Sequence, residues 1–206
     1  MRSFLRAGVA VYNDGHYHAA HDAWEAHWLG LEEGTDDERL LHGLIQFTAA
    51  VYHARERNWA GAVGLAESAG EYLEGLPADY RGCNVKDVRA YLAVLGADPE
   101  LIERRRPLAL VHEDEALRLA DLDPGEVAIA AEVLTEEWGY DEAPIERAGE
   151  YALADLEAGR EDSQFLSLLY AFVEEASADR DVVYRRLAGL VDRRASREGD
   201  VEGLFE

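Results

Sequence analysis

Lysine is almost missing from this chain. Of 20 basic residues, one is Lys86 and the other 19 are arginine. Cysteine is nearly absent too: Cys83 stands alone among 206 residues, which excludes an internal disulfide and any multi-cysteine metal site. A lone thiol fits a reducing compartment, and a cytoplasmic location is expected. Long apolar runs are lacking. The longest stretch without a formal charge, Leu40–Ala54, includes His42, Gln46 and His53 and is too short to cross a bilayer, so no membrane span is expected. The first apolar residues are interrupted by Arg6, so no signal peptide is expected either. There is no glycine-rich phosphate loop and no G-x-S-x-G elbow, which removes the commonest nucleotide-binding and hydrolase readings.

Acid is what the chain has in excess. Asp and Glu number 43, for a formal net charge of -23. A carboxylate-rich surface carrying Arg but not Lys is the composition of a protein from a high-salt cytoplasm. Salt there screens the self-repulsion that would otherwise oppose compaction. An acidic surface of that origin says little about partners. The run Arg104-Arg105-Arg106 is the one basic cluster near the middle, and so short a run in so acidic a chain is expected to pair with carboxylates rather than with nucleic acid. Arg185, Arg186, Arg193, Arg194 and Arg197 gather towards the other end, where ion pairing and the negative end of a helix account for them.

Apolar residues make up 48% of the chain and recur at three and four, with no sustained alternation. The expected fold is all-α, a multi-helix bundle. Helices are expected over about 3–12, 17–31, 38–57, 59–73 and 85–95, with a sixth opened by Asp98-Pro99-Glu100. Asp36 or Asp37 is the expected cap of the third and Asn58 of the fourth. Four more helices follow Pro107, on faces marked by Val127, Ala131, Leu134 and Trp138, by Ile145, Ala148, Tyr151, Ala152 and Leu156, by Phe165, Leu168, Leu169, Phe172 and Val173, and by Val183, Leu187, Leu190 and Val191. Fraying is expected over 199–206. Charge is uneven, with net -6 up to residue 108 and net -17 beyond it. The expected division is therefore 1–108, a helical bundle, and 109–206, an acidic helical extension that either meets the bundle near residues 107–125 or packs with it as one unit.

Six of the seven histidines fall between His16 and His53. On the second helix His21, Glu25 and Trp28 share a face, with His18 and Asp22 beside them. On the third, His42, Gln46, Ala49 and His53 form a polar seam in an apolar helix. A short connection makes the two helices antiparallel neighbours, so the seams are expected to face each other. Imidazoles with a carboxylate are ligands for Zn²⁺ or Fe²⁺, and the same groups without metal make an acid/base pair. The alternative is a structural hydrogen-bond network that fixes helix register. The candidate polar site is His21, Asp22, Glu25, Trp28, Gln46 and His53. A divalent metal, if present, would be expected on His21, Glu25 and His53.

The segment His21-Asp22-Ala23-Trp24-Glu25-Ala26-His27-Trp28 resembles the H-E-x-x-E-x-x-W motif of the DUF309 family. Gly43 to His53 resembles its G-L-I-Q-x-A-A-A-x-x-H motif, and Asn58, Gly61, Ala62 and Leu65 its following G-N-x-x-G-A-x-x-L segment. The resemblance covers about residues 5–75. It implies a small helical protein, with His21, Glu25, Trp28, Gln46 and His53 at the matching positions, and it brings no biochemical activity with it. The chain departs from the pattern at Asp22 (Glu in the family), Thr48 (Ala) and Arg57 (Gly). A binding or scaffolding protein, with a protein partner or a second copy of itself, is the first functional expectation. A metal-dependent or acid/base enzyme using His21, Glu25 and His53 is the second.

The charge reading has a direct consequence. Screening shortens to about 3 Å at 1 M salt, so the thermal midpoint should climb as KCl rises from low salt to molar concentrations. A midpoint indifferent to salt in a melting series would remove the high-salt reading.

Overall fold

The computed structural model describes residues 1–174 and 177–202. Ten α-helices run through the described residues, and no strand occurs among them. Two isolated bridges, Cys83 with His112 and His112 with Glu115, are the sheet-like contacts recorded. The all-α expectation holds. No described helix is long and apolar enough to cross a membrane.

The first compact unit is Met1–Asp121 and the second is Leu122–Glu206. The composition shift instead places the join after residue 108. Side-chain hydrogen bonds explain the difference. Asn13 donates to the Leu110 and Leu117 carbonyls at 2.8 and 3.0 Å and accepts from the Leu110 N–H at 2.9 Å. Asn84 accepts from the Val111 N–H at 2.9 Å. Arg6 donates to the Asp121 carbonyl. These bonds satisfy the backbone of an irregular segment against the first helices, so 109–121 packs with the first unit.

In that unit α1 (Arg2–Asn13), α2 (Tyr17–Trp28), α3 (Asp36–Arg55), α4 (Trp59–Leu73) and α5 (Val85–Ala97) pack each on the next, and α6 (Leu101–Arg104) is a single turn. The second helix ends at Trp28, one turn before the expected stop. The core joins Leu5, Val9 and Tyr12 to Trp24, Leu40, Leu44, Phe47 and Val51. α1 and α2 approach closely because Gly8 has no Cβ; one there would overlap the Trp24 indole. Thr35, not Asp36 or Asp37, caps α3 by accepting from the Glu38 N–H. Asn58 caps α4 as expected, accepting from the Gly61 N–H at 3.1 Å. Asn84 precedes α5 but caps nothing, since its amide is spent on the 109–111 segment.

In the second unit α7 (Pro124–Glu137), α8 (Ala143–Glu157), α9 (Gln164–Glu174) and α10 (Ser177–Glu202) pack on one another and bury most of the four expected faces, with Trp138, Leu156, Leu168 and Leu190 half-buried. Asp123 and Glu126 form a reciprocal capping box at the start of α7, with Pro124 inside it. Asp155 is almost buried, and Arg160, Ser163 and Arg194 all donate to it. Helix α10 runs on through Glu202 rather than ending near Gly199; the expected fraying of 203–206 lies outside the described residues.

The α3–α4 hairpin closes with a strained residue. The Asn58 N–H reaches back to the His53 carbonyl and the Arg57 N–H to that of Ala54, the pattern that needs a left-handed residue after the helix. Arg57 occupies that position with φ 59°, where the resembled family pattern carries glycine. A side chain costs about 1 kcal/mol or more there, and its exposed ion pair with Glu103 returns little. Arg57→Gly should therefore raise the stability of the folded chain by about 1 kcal/mol. Denaturant unfolding of the two proteins checks this, and a lower midpoint for the glycine variant would refute it.

Candidate functional site

Helix α2 divides its residues sharply. Ala19, Ala20, Ala23 and Trp24 are buried, and the opposite stripe is His18, His21, Asp22 and Glu25. This polar stripe is half-open to solvent: side-chain exposure is 59% for His18, 30% for His21, 25% for Asp22 and 45% for Glu25. His18 Nδ1 lies 3.2 Å from Asp22 Oδ2, and His21 Nε2 lies 3.8 Å from Glu25 Oε1. One potential ligand atom each from His21, Asp22 and Glu25 lies within 4.8 Å of the others. The His18 ring also meets Tyr52 of α3 edge-on at 6.0 Å.

His53 stands apart from that group. Its Nδ1 takes a 2.7 Å hydrogen bond from the Asn58 side chain, beside Gly61, where a Cβ would press on both. Gln46 is half-buried on α3 and belongs to neither cluster described here. Among the described residues, then, the grouping brings His21 and Glu25 together with Asp22, and His53 is not part of it.

A second constellation forms where the end of α2 meets the start of α3. Glu38 sits in the first turn of α3 and is nearly buried. Its Oε1 accepts from Trp28 Nε1 at 2.8 Å and lies 3.1 Å from His42 Nδ1, while Oε2 accepts from the Gly34 N–H at 3.3 Å. Burial alone would push the carboxyl up. The Trp28, Gly34 and His42 hydrogen bonds outweigh it and hold Glu38 below the usual carboxylate range, so it is ionised at neutral pH. His42 stacks on Tyr72 of α4 at 3.7 Å and leans on Trp28 at 4.6 Å. Trp28 was in the expected site and His42 in the expected seam; Glu38 was in neither. The signal that marks it is Thr35-Asp36-Asp37-Glu38, a T-x-x-E pattern that sets a Glu on the first turn, four residues before His42.

These residues wall an open cleft of about 660 Å³ between α2, α3 and α4. Glu33 and Glu71 line it with Glu38, Trp28 and Tyr72. Arg39 lines it too but is turned to Asp36 and to the Glu74 carbonyl. A cleft of about 740 Å³ in the second unit contains Asp155, Arg160 and Arg194, whose charges already satisfy one another. Cys83 offers no nucleophile: burial pushes its thiol up to about 12. Of the arginine run, Arg104 pairs with Asp98.

Residues 5–65 match the family described as "Domain of unknown function (DUF309)". They hold most of α1, α2, α3 and the start of α4, and with them the α2 stripe and the Trp28–Glu38–His42 network, while Tyr72 lies beyond the match. An uncharacterized protein of Aquifex aeolicus (strain VF5) is 29% identical over 93 residues, which is 45% of this chain. The chain spans 28% of that protein's length. Neither description carries a biochemical activity, and this chain's role is likewise unassigned.

The depressed Glu38 fixes a sign for pH. Its folded value lies below its unfolded one, so its stabilisation is complete above the ordinary carboxylate range and is lost as pH falls through the folded value. Glu38→Gln should cost about 1–3 kcal/mol at neutral pH. The deficit should shrink as the parent protein is acidified. Equal deficits at neutral pH and at pH below the carboxylate range would show that the ionised form contributes nothing.

Proposed function

We propose that the first unit is a helical binding module whose α2–α3–α4 cleft receives a cationic group from a small ligand or a protein partner. The observation that carries this reading is the ionised Glu38 in the wall of an open cleft. A carboxylate has about four acceptor positions and Glu38 uses three of them, which leaves one for an incoming donor. Trp28 and Tyr72 supply aromatic surface beside it, the pairing that favours an ammonium or guanidinium group. Glu33 and Glu71 add negative charge, and Arg39 is engaged elsewhere. The register-fixing role of the network and this binding role are compatible. Trp28, Glu38 and His42 hold one another rigid, and a rigid wall loses little entropy on binding. The single buried cysteine and the lysine-poor acidic composition fit a setting in a reducing, high-salt cytoplasm.

Amide and indole NMR shifts test the reading. Methylguanidinium added at millimolar concentration should move the Gly34 amide and the Trp28 indole N–H saturably, and its neutral isostere methylurea should not. Glu38→Gln should abolish the response. Identical small, unsaturated shifts with both probes would overturn the proposal.

A further inference from the structure

The polar stripe of α2 lies outside the cleft, and its chemistry is different. His18, His21, Asp22 and Glu25 fall at i, i+3, i+4 and i+7, so all four project from one face. Each imidazole has a carboxylate one turn away, His18 with Asp22 and His21 with Glu25. An i, i+4 pair on a helix is a bidentate chelate for a first-row metal, and here two such pairs interleave. The geometry points to a divalent metal site on α2, formed by His21, Asp22 and Glu25 with His18 as the fourth ligand, and suited to Zn²⁺.

Three arguments carry it. The first is proximity. A tetrahedral Zn²⁺ with bonds of about 2.0–2.1 Å holds its ligand atoms roughly 3.4 Å apart. The His18–Asp22 pair is at 3.2 Å and the His21–Glu25 pair at 3.8 Å, while His21, Asp22 and Glu25 lie within 4.8 Å of one another. Rotation about χ1 and χ2 of half-exposed side chains closes the remainder. The second is ligand type. Imidazole nitrogen with carboxylate oxygen and no thiolate is a donor set for Zn²⁺ and its neighbours rather than for Cu⁺. Two carboxylates also balance the metal's charge. The third is access. The stripe faces away from the buried Ala19, Ala20, Ala23 and Trp24, so an ion reaches it without opening the bundle. His53, hydrogen-bonded to Asn58, is not part of this set.

The test uses the full chain stripped with chelator and titrated with ZnCl₂ by calorimetry, in enough KCl to suppress diffuse binding to surface carboxylates. One equivalent should bind saturably. His21→Ala or His18→Ala should weaken it by about tenfold or more, and His53→Ala should leave it unchanged. Imidazole ¹⁵N shifts of the unsubstituted chain provide a readout that does not depend on any variant folding. Zn²⁺ should move the His18 and His21 nitrogens and leave those of His16, His42, His53 and His112. Absence of saturable binding overturns the site, as does saturable binding that leaves the His18 and His21 nitrogens in place.

Discussion

One carboxylate organises three helices of the first unit. Glu38 is nearly buried and ionised, and a buried charge is tolerated only when its lone pairs are occupied. Meeting that demand takes the Trp28 indole from the end of α2, the Gly34 amide from the connection and the His42 ring one turn along α3. His42 is in turn stacked on Tyr72, so the constraint reaches α4. The first turn of α3 also favours negative charge, because its free N–H groups give that end a partial positive charge. Removing the carboxylate would leave an indole N–H and a backbone N–H to find other acceptors. The connection between α2 and α3 is thus fixed by hydrogen bonds as much as by apolar packing.

The helices were legible because their signals are local. Asn58 opening α4 is read from a few residues, and most of the apolar faces of α7 to α10 follow from spacing alone. Two features escaped the sequence for different reasons. Thr35 caps α3 although two acidic candidates stand beside it, and composition does not rank the three. The place of 109–121 depends on Asn13 and Asn84, whose amides bond to backbone groups far along the chain, and such bonds leave no periodic trace. The charge change near Pro107 is real, but charge reports the surface and these bonds report the packing.

The polar seams show the same limit at finer scale. Spacing on one helix fixes which side chains share a face: His21, Asp22 and Glu25 lie together, while Trp28, expected on the face of His21 and Glu25, turns to Glu38. Spacing does not fix the rotation of that helix about its own axis. Helix α2 buries alanines and Trp24, and this choice turns the polar stripe outward. The seam of α3 is met near its start, by Trp28 and Glu38, while His53 is satisfied locally by Asn58. Alanine is what makes the rotation possible. Three buried Ala residues let α2 settle closely on its neighbours, and the one large residue on that side, Trp24, is accommodated by Gly8.

A bundle of this kind separates two jobs that polar groups perform. The Glu38 network is rigid and nearly saturated; its value lies in holding a wall in place. The α2 stripe is half-open, with His18 beside Asp22, His21 beside Glu25 and the His18 ring edge-on to Tyr52 of α3. Exposed pairs of that sort contribute little to stability. Exchanging the His18–Asp22 and His21–Glu25 contacts for another ligand therefore costs the fold little. In a chain of net charge -23 many surface carboxylates pair with arginine, as Asp37 does with Arg81 and Glu150 with Arg147. What distinguishes Asp22 and Glu25 from the rest is the imidazole one turn before each of them. That pairing gives a carboxylate a nitrogen donor beside it, and diffuse surface charge is turned into a directed set of ligands.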